Sequence, residues 1–324
     1  MTAVAAAGKA AQADRPAARK SVRERRLVQE VALRHFGEKA RKVVERGGGL
    51  TNAVYEFSVA QGEFIVRSHR DATKIGDYLK ERWAMDAARE VGVPTPRVLE
   101  VGNFADGRPY MIAQQVRGIE GRHAPDRLGV LEQLGRAARL VHGVRTHGFG
   151  PVFDWSGNQL SRHASWADWL ANGFAVERRI AILLQHRAID PRQARALRRS
   201  ASEMARWRKP PCLHHGDLRL KNTIVDPESG RIAALLDWDN ASSSPPPHWD
   251  LSLALHDLGI DEKEAFLSGY RIGPRAFAAA LPFVRLLNVL NYAPAIEAAA
   301  EKKDAAALER IRVRLHGGLD LHQV

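Results

Sequence analysis

The chain has 324 residues, 45% of them hydrophobic and 27% charged, with a formal net charge of +12 at neutral pH. This is an ordinary globular composition for one large domain or two modest ones, and no stretch approaches the roughly 18 apolar residues that a membrane span needs. A single cysteine, Cys212, excludes an internal disulfide and fits a reducing, cytoplasmic compartment.

Residues 1–21 are Ala-rich and basic, and Lys9, Asp14 and Arg15 interrupt any apolar stretch of a secretory signal. Residues 1–46 hold twelve Lys/Arg and five Asp/Glu, so +7 of the net +12 lies there. With no apolar periodicity to bury surface, residues 1–21 read as a disordered tail. No basic strand is interleaved with aromatic residues in the way single-strand binders use, so nucleic acid is not expected as a partner. A first helix is expected from Val22 to Phe36.

Gly47-Gly48-Gly49-Leu50-Thr51-Asn52 precedes two apolar runs, Val54–Val59 and Phe64–Arg67, which are separated by Gln61-Gly62. The glycines alone would fit a linker. Between strands, they suit a loop whose backbone N–H groups approach phosphates closely. The helix through Tyr78–Met85 is stopped near Gly92 and Pro94. Leu131, Leu134, Ala138 and Val141 recur at helical spacing and mark a core helix over 128–143. Residues 161–208 read as two or three helices, with Trp166, Trp169, Leu170, Phe174, Ile180, Leu183 and Leu184 as their core. Further helices are expected over Glu262–Tyr270, Pro274–Ala298 and Ala305–His316.

The chemistry concentrates in His214-His215-Gly216-Asp217-Leu218-Arg219-Leu220-Lys221-Asn222, with Asp237-Trp238-Asp239 following. Asn222–Val225 and Ile232–Leu236 are short apolar runs around Asp226-Pro227-Glu228-Ser229-Gly230, which has strong turn chemistry. A hairpin there brings Asn222 and Asp237 to the same end. Phosphoryl transfer needs a carboxylate for the attacking hydroxyl, and a carboxylate with an amide oxygen for Mg²⁺. Asp217 fits the first role, and Asn222 and Asp237 fit the second.

At these residues the chain resembles the aminoglycoside phosphotransferase and choline kinase family, whose catalytic loop reads close to His-Gly-Asp-Leu-His-Pro-x-Asn. Arg219 and Leu220 stand here in place of the His and Pro. The resemblance implies an α+β, bilobal protein-kinase-like fold, with a small antiparallel-sheet N-lobe and a mainly helical C-lobe. The lobes would span 22–118, including the hinge, and 119–324, with the catalytic loop and acceptor pocket in the second. By the same resemblance, Asp217 is the catalytic base and Arg219 falls where a cation contacts the transferred phosphate. Asn222 and Asp237 bind Mg²⁺. Gly47, Gly48, Gly49, Thr51 and Asn52 form the nucleotide loop. Arg67 holds the phosphates of ATP, with Lys74 as a rival for that role, and Glu81 pairs with Arg67. Gln114 and Val116 offer the hinge backbone to adenine, Ala113 flanks the base, and Asp250 braces the catalytic loop.

The expected activity is transfer of the γ-phosphate of ATP to a hydroxyl of a small molecule, by a monomer or homodimer without a membrane. A protein kinase is disfavoured, because only a short Pro-rich loop separates Asp239 from the next helix. The competing reading is a non-catalytic nucleotide-binding relative that acts as an interaction protein. Asp257, Asp261, Glu262 and Glu264 could serve a polycationic acceptor. The basic balance of the chain instead favours a sugar, an amino alcohol or another hydroxyl compound.

Overall fold

The structure is a computed structural model, which describes residues 25–46 and 52–320. Two compact units emerge, one of residues up to Arg82 together with Pro96–Val116, the other of Trp83–Thr95 and Arg117 onward. The expected tail and the glycines Gly47, Gly48 and Gly49 lie outside the described residues, as does Thr51.

The first unit is a five-stranded antiparallel sheet in the order β1 (Arg41–Arg46), β2 (Asn52–Val59), β3 (Gly62–His69), β5 (Pro109–Gln114) and β4 (Val98–Asn103). The expected turn at Gln61-Gly62 closes β2 on β3, with Val59 opposite Gly62 and Tyr55 opposite Val66. Alternation in both strands sends Tyr55, Phe57, Phe64 and Val66 to one face, as period-2 geometry requires. A helix over 25–36, α1, covers that face with Leu27, Val28, Val31 and Ala32. The first helix is therefore part of the core of this unit.

The second unit is mainly helical. Helix α3 (Arg127–Val141) packs closely on α8 (Ile260–Tyr270). A Cβ at Gly135 would lie 2.0 Å from the Phe266 carbonyl oxygen, and one at Gly269 would lie 1.9 Å from that of Glu132. Only glycine allows these two backbones so near each other. The larger core gathers Trp166 and Trp169, from the one-turn helix α4 (Trp166–Asp168) and the π-turn after it, with Phe174 and residues of α5 (Val176–Gln185), α6 (Pro191–Met204) and α9 (Pro274–Asn291). Of the seven expected core residues in this stretch, Leu184 alone is only partly buried.

Three expectations change. The helix read as Pro274–Ala298 is α9 followed by α10 (Ala293–Glu301), with the break at Tyr292. Pro294 sits in the first turn of α10, where its missing N–H and fixed φ suit a helix start and not a helix interior. Together these helices, Pro274–Glu301, are long and apolar enough to cross a membrane by length and composition, which corrects the statement that no stretch comes near. Half of that apolar window is buried in the protein interior, with Leu286, Leu287, Leu290 and Ile296 in the core. This is how a core helix of a folded domain reads. The last helix, α11 (Ala305–Asp320), runs beyond the expected end at His316.

Two small sheets position the chemistry. One has the order β6 (Ile119–Glu120), β8 (Thr223–Val225), β9 (Ile232–Leu235), and the other pairs β7 (Cys212–His214) with β10 (Ser242–Ser244).

Candidate active site

The hairpin forms as the sequence predicts. Thr223 pairs with Leu235 and Ile224 with Ala234. The Asp226 carboxylate closes the turn by accepting from the Glu228 and Ser229 N–H groups at 2.8 and 3.3 Å. At the other end Leu236 N–H donates to Asn222 O at 2.7 Å, which places Asn222 beside Asp237. Asn222 Nδ2 donates to both the backbone oxygen and Oδ2 of Asp217, each at 2.9 Å. Asp217, Asn222 and Asp237 are thus gathered by one loop and one hairpin.

Gly216 lets the loop turn. Its φ is +81°, and a Cβ there would lie 2.2 Å from the Asn240 carbonyl oxygen, so both conformation and space demand glycine. Asp237 also has a positive φ, of 66°. Among non-glycine residues, Asp tolerates this region better than most.

Asp217 is buried and doubly paired. Arg219 Nε donates to Oδ1, and Lys221 Nζ lies 2.9 Å from Oδ2. Burial pushes the carboxyl up, but Arg219, Lys221 and Asn222 outweigh it and hold it below the usual carboxylate range. Asp237 contrasts with this. It is half-buried, and among the described residues its carboxylate accepts no hydrogen bond and pairs with no cation.

Asp250, in helix α7 (His248–Ala254), lies beneath the loop. Its two oxygens accept from the backbone N–H of His215 at 2.9 Å and of Gly216 at 2.8 Å. His142 Nε2 donates to Asp250 Oδ2 at 3.0 Å, while His142 Nδ1 accepts from the Tyr270 hydroxyl at 2.8 Å. Burial opposes the ionised carboxyl, yet His142, His214 and His215 hold Asp250 well below the ordinary value. His142, His214 and Asp250 present three metal-type donors within 4.8 Å of one another. The carboxylate is already committed to two backbone donors and one imidazole, so the cluster works as a hydrogen-bonded floor for the loop.

Two residues that the sequence reading left without a role belong to this site. His215 Nε2 donates to Leu236 O at 2.9 Å, and its Nδ1 accepts from the Asp217 N–H at 3.1 Å. Burial pushes this imidazole down, and the neutral form supplies one donor and one acceptor, as both bonds need. Lys221 is the other. It stands four residues after Asp217.

In the first unit Arg67 extends from β3 to Glu81 on α2 (Ile75–Glu90), forming an ion pair in which Glu81 is only 2% exposed. The Arg67 guanidinium also lies 5.8 Å from the centre of the Tyr78 ring. Lys74, the rival cation, is exposed and pairs with Asp77 at 2.9 Å. Asn52 opens β2. Gln114 ends β5 and its N–H donates to Arg97 O at 2.9 Å, with the buried Ala113 before it and the half-buried Val116 after it.

The phosphotransferase enzyme family model matches residues 42–287, most of the chain, including every element just described. The chain belongs to the phosphotransferase enzyme family. Among curated proteins, hygromycin-B 4-O-kinase of Escherichia coli is 22% identical over 207 residues, 60% of this chain and 56% of that protein. Acyl-CoA dehydrogenase family member 10 of Mus musculus is 22% identical over 242 residues, 69% of this chain and 21% of that protein. The chain thus matches little more than half the length of the first relative and about a fifth of the second.

Solved structures share the fold. A thermostable mutant of aminoglycoside phosphotransferase APH(4)-Ia in ternary complex with AMP-PNP and hygromycin B superposes with a TM-score of 0.68 at 18% identity, over 91% of this chain and 98% of that one. Macrolide 2′-phosphotransferase MphH from Brachybacterium faecium gives 0.61 at 17% identity, over 90% and 98%. The α+β, kinase-like fold expected from the resemblance is the one found.

Proposed function

We propose that this chain is an ATP-dependent kinase that transfers the γ-phosphate to a hydroxyl of a small molecule. The observation that carries this reading is the gathering of Asp217, Asn222 and Asp237, with Arg219 and Lys221 on the Asp217 carboxylate. Relatives named as a hygromycin-B 4-O-kinase and a macrolide 2′-phosphotransferase support a small-molecule alcohol as acceptor.

In this reading Asp217 accepts a hydrogen bond from the attacking hydroxyl, aligns it, and takes its proton as the bond to phosphorus forms. Arg219 would turn from Asp217 to the transferred phosphate, where a guanidinium can bind two oxygens. Asn222 spends its amide N–H groups on Asp217, which leaves its amide oxygen as a hard donor. Together with the unpaired Asp237 carboxylate it suits Mg²⁺, which prefers oxygen ligands. When bound there, Mg²⁺ would offset phosphate charge. Arg67, fixed by Glu81, would hold nucleotide phosphates in the first unit, and Gln114 and Val116 would present backbone groups to the base.

The test is an ADP-release screen of purified protein with MgATP against a panel of hydroxyl compounds, alongside calorimetric titration of MgATP. ADP release that depends on an acceptor and disappears in Asp217→Asn supports the reading. Failure of MgATP to bind overturns it.

A further inference from the structure

The positive charge of the chain is gathered in two places. Residues 1–46 hold +7, and residues 187–209 hold eight Lys/Arg against two Asp/Glu, a further +6. The second segment is helix α6 with its flanks. The apolar face of α6, Ala194, Leu197, Ala201 and Met204, is buried in the larger core. The opposite face is exposed, and Arg192, Arg195, Arg199 and Arg206 follow one another there at spacings of three, four and seven residues. Arg206 lies in the turn after α6, where its N–H donates to Glu203 O at 3.1 Å and carries the row past the helix end. Helical spacing sets the four on one side, in a row about 21 Å long. None of them forms an ion pair among the described residues.

The neighbouring elements do not offset this charge. Helices α5 and α9 pack against α6. Helix α9 brings Arg275 and Arg285 and no carboxylate, and α5 brings Glu177, Arg178 and Arg179. Glu177 is taken by Arg198 at 2.9 Å, and Asp190 caps α6 by accepting from the Gln193 N–H at 2.7 Å. Glu203 is the one carboxylate left on the exposed face of α6. A shallow cavity of about 480 Å³ opens there, lined by Arg198, Arg199, Ser202, Glu203 and Arg206. Past it, the exposed Arg208 and Lys209 continue the positive surface.

The chemistry of this face selects among polyanions. Seven of the eight cations are Arg, whose planar fork binds phosphate oxygens in pairs. No large apolar side chain is exposed on α6, so the face lacks the apolar centre of a protein interface. With its apolar side buried, the helix has nothing to seat in lipid. A row of cations on a rigid helix suits a line of phosphates, and a duplex carries one negative charge per about 1.7 Å of its axis. The expectation against nucleic acid rests on the strand pattern of single-strand binders, and a duplex gripped through its backbone needs no such pattern. We infer that the exposed face of α6 docks the phosphate backbone of a nucleic-acid duplex through Arg192, Arg195, Arg199 and Arg206, without reading its sequence. This is independent of the kinase reading, since none of these residues belongs to the candidate active site.

The test is fluorescence anisotropy of a labelled DNA duplex of about 20 base pairs with the full chain, in salt from roughly 50 to 200 mM. An RNA duplex of the same sequence tells DNA from RNA, and a poly-glutamate peptide and phosphatidylserine vesicles represent the other polyanions. The double variant Arg195→Glu with Arg199→Glu is compared with Arg195→Lys with Arg199→Lys. A second comparison reverses equal charge at two exposed sites elsewhere, Arg139→Glu with Arg310→Glu. Residues 1–46 are the same in every protein, so the differences report α6. The parent should bind the duplex, less tightly as salt rises. The α6 reversal should weaken binding about ten-fold or more and flatten the slope of log affinity against log salt by about two, because two phosphate contacts are gone. The Lys pair should keep the slope, and the reversal elsewhere should keep affinity within about three-fold. If the α6 reversal loses its melting transition, Arg195→Gln with Arg199→Gln carries the same comparison. No duplex binding by the parent in low salt, an equal loss in the reversal elsewhere, or tighter binding of poly-glutamate or of vesicles would each overturn the inference, and MgATP binding reports separately on the kinase reading.

Discussion

Lys221 Nζ lies 2.9 Å from Asp217 Oδ2, so the carboxylate expected to receive the acceptor proton is already neutralised by a cation four residues on. Arg219 occupies the other oxygen. Such a carboxylate is a weak base, which suits a loose transition state that needs alignment more than deprotonation. Lys221→Met removes one of the groups that hold the Asp217 carboxyl down. The acid limb of the pH profile of kcat/KM should therefore move to higher pH in this variant. An unmoved limb would mean that Asp217 does not set it.

Asp217→Asn keeps the shape of the loop but cannot accept a proton. It should lower kcat by about 100-fold or more, the lower end of general-base effects, and leave MgATP affinity within about two-fold. Acceptor-dependent ADP release and calorimetry measure the two separately. Near-wild-type turnover would remove Asp217 from the chemistry.

The parts of the site that were legible in the sequence are those whose partners are local. Asn222 follows Asp217 by five residues, and a strong turn at Asp226–Gly230 sets the hairpin that returns Asp237 to Asn222. Both relationships follow from spacing. His215 was not legible in the same way, because its partners are the Asp217 N–H and the carbonyl of Leu236, 21 residues away, and backbone atoms leave no residue-type signal. Lys221 needed the side-chain direction in a 3₁₀ turn, Leu220–Asn222, to be known in advance. The break at Tyr292 was written in Pro294 but hidden by the continuous apolar run around it. The tight α3–α8 crossing was invisible, since Gly135 and Gly269 are isolated glycines inside helical patterns, with nothing local to pair them.

His215 joins the loop to the strand that leads into Asp237, and its ring lies against Trp238, tilted by 47° with centres 4.4 Å apart. His215→Phe should keep the ring contact with Trp238 and lose both hydrogen bonds, leaving Leu236 O and the Asp217 N–H without partners. A stability loss of about 2 kcal/mol is expected, near the cost of leaving buried polar groups unpaired. Turnover should fall more than MgATP affinity, since the variant loosens Asp217 itself. Urea unfolding and steady-state kinetics check the two effects, and an unchanged unfolding midpoint would refute the bridging role.

Acid should destabilise the fold well above the carboxylate range. Burial pushes His214 down to about 3, helped by the nearby His142, and burial with Lys209 pushes His248 down to about 3. Both groups titrate near 6.5 in an unfolded chain. The unfolded state therefore binds more protons between these values, so the stabilisation is complete above pH 6.5 and is lost progressively as pH falls towards 3. Each such histidine contributes a slope of about 1.4 kcal/mol per pH unit in that window. His248 lies against Trp207 and Phe283, with ring centres 4.4 and 5.8 Å away, so His248→Phe fits the same aromatic pocket. Urea unfolding at pH 7 and pH 5 should show a smaller difference in this variant than in the parent.

Asp237 offers a separation of backbone from ligand effects. Its φ of 66° favours glycine, so Asp237→Gly should relieve the backbone while deleting the carboxylate. Glycine at such a site costs unfolded-state entropy, and relief of the left-handed conformation offsets it, so stability should change by less than about 1 kcal/mol. Binding of ATP should then lose its dependence on Mg²⁺, because the half-buried oxygen ligand is gone and Asn222 provides only an amide oxygen. Asn222→Ala should be milder for the metal, since the carboxylate remains, but it also withdraws two hydrogen bonds from Asp217 and should therefore lower turnover. Titrating ATP with and without Mg²⁺ against the parent, Asp237→Gly and Asn222→Ala distinguishes these effects. Equal Mg²⁺ dependence in the parent and in Asp237→Gly, with the fold intact by urea unfolding, would show that Asp237 does not hold the metal.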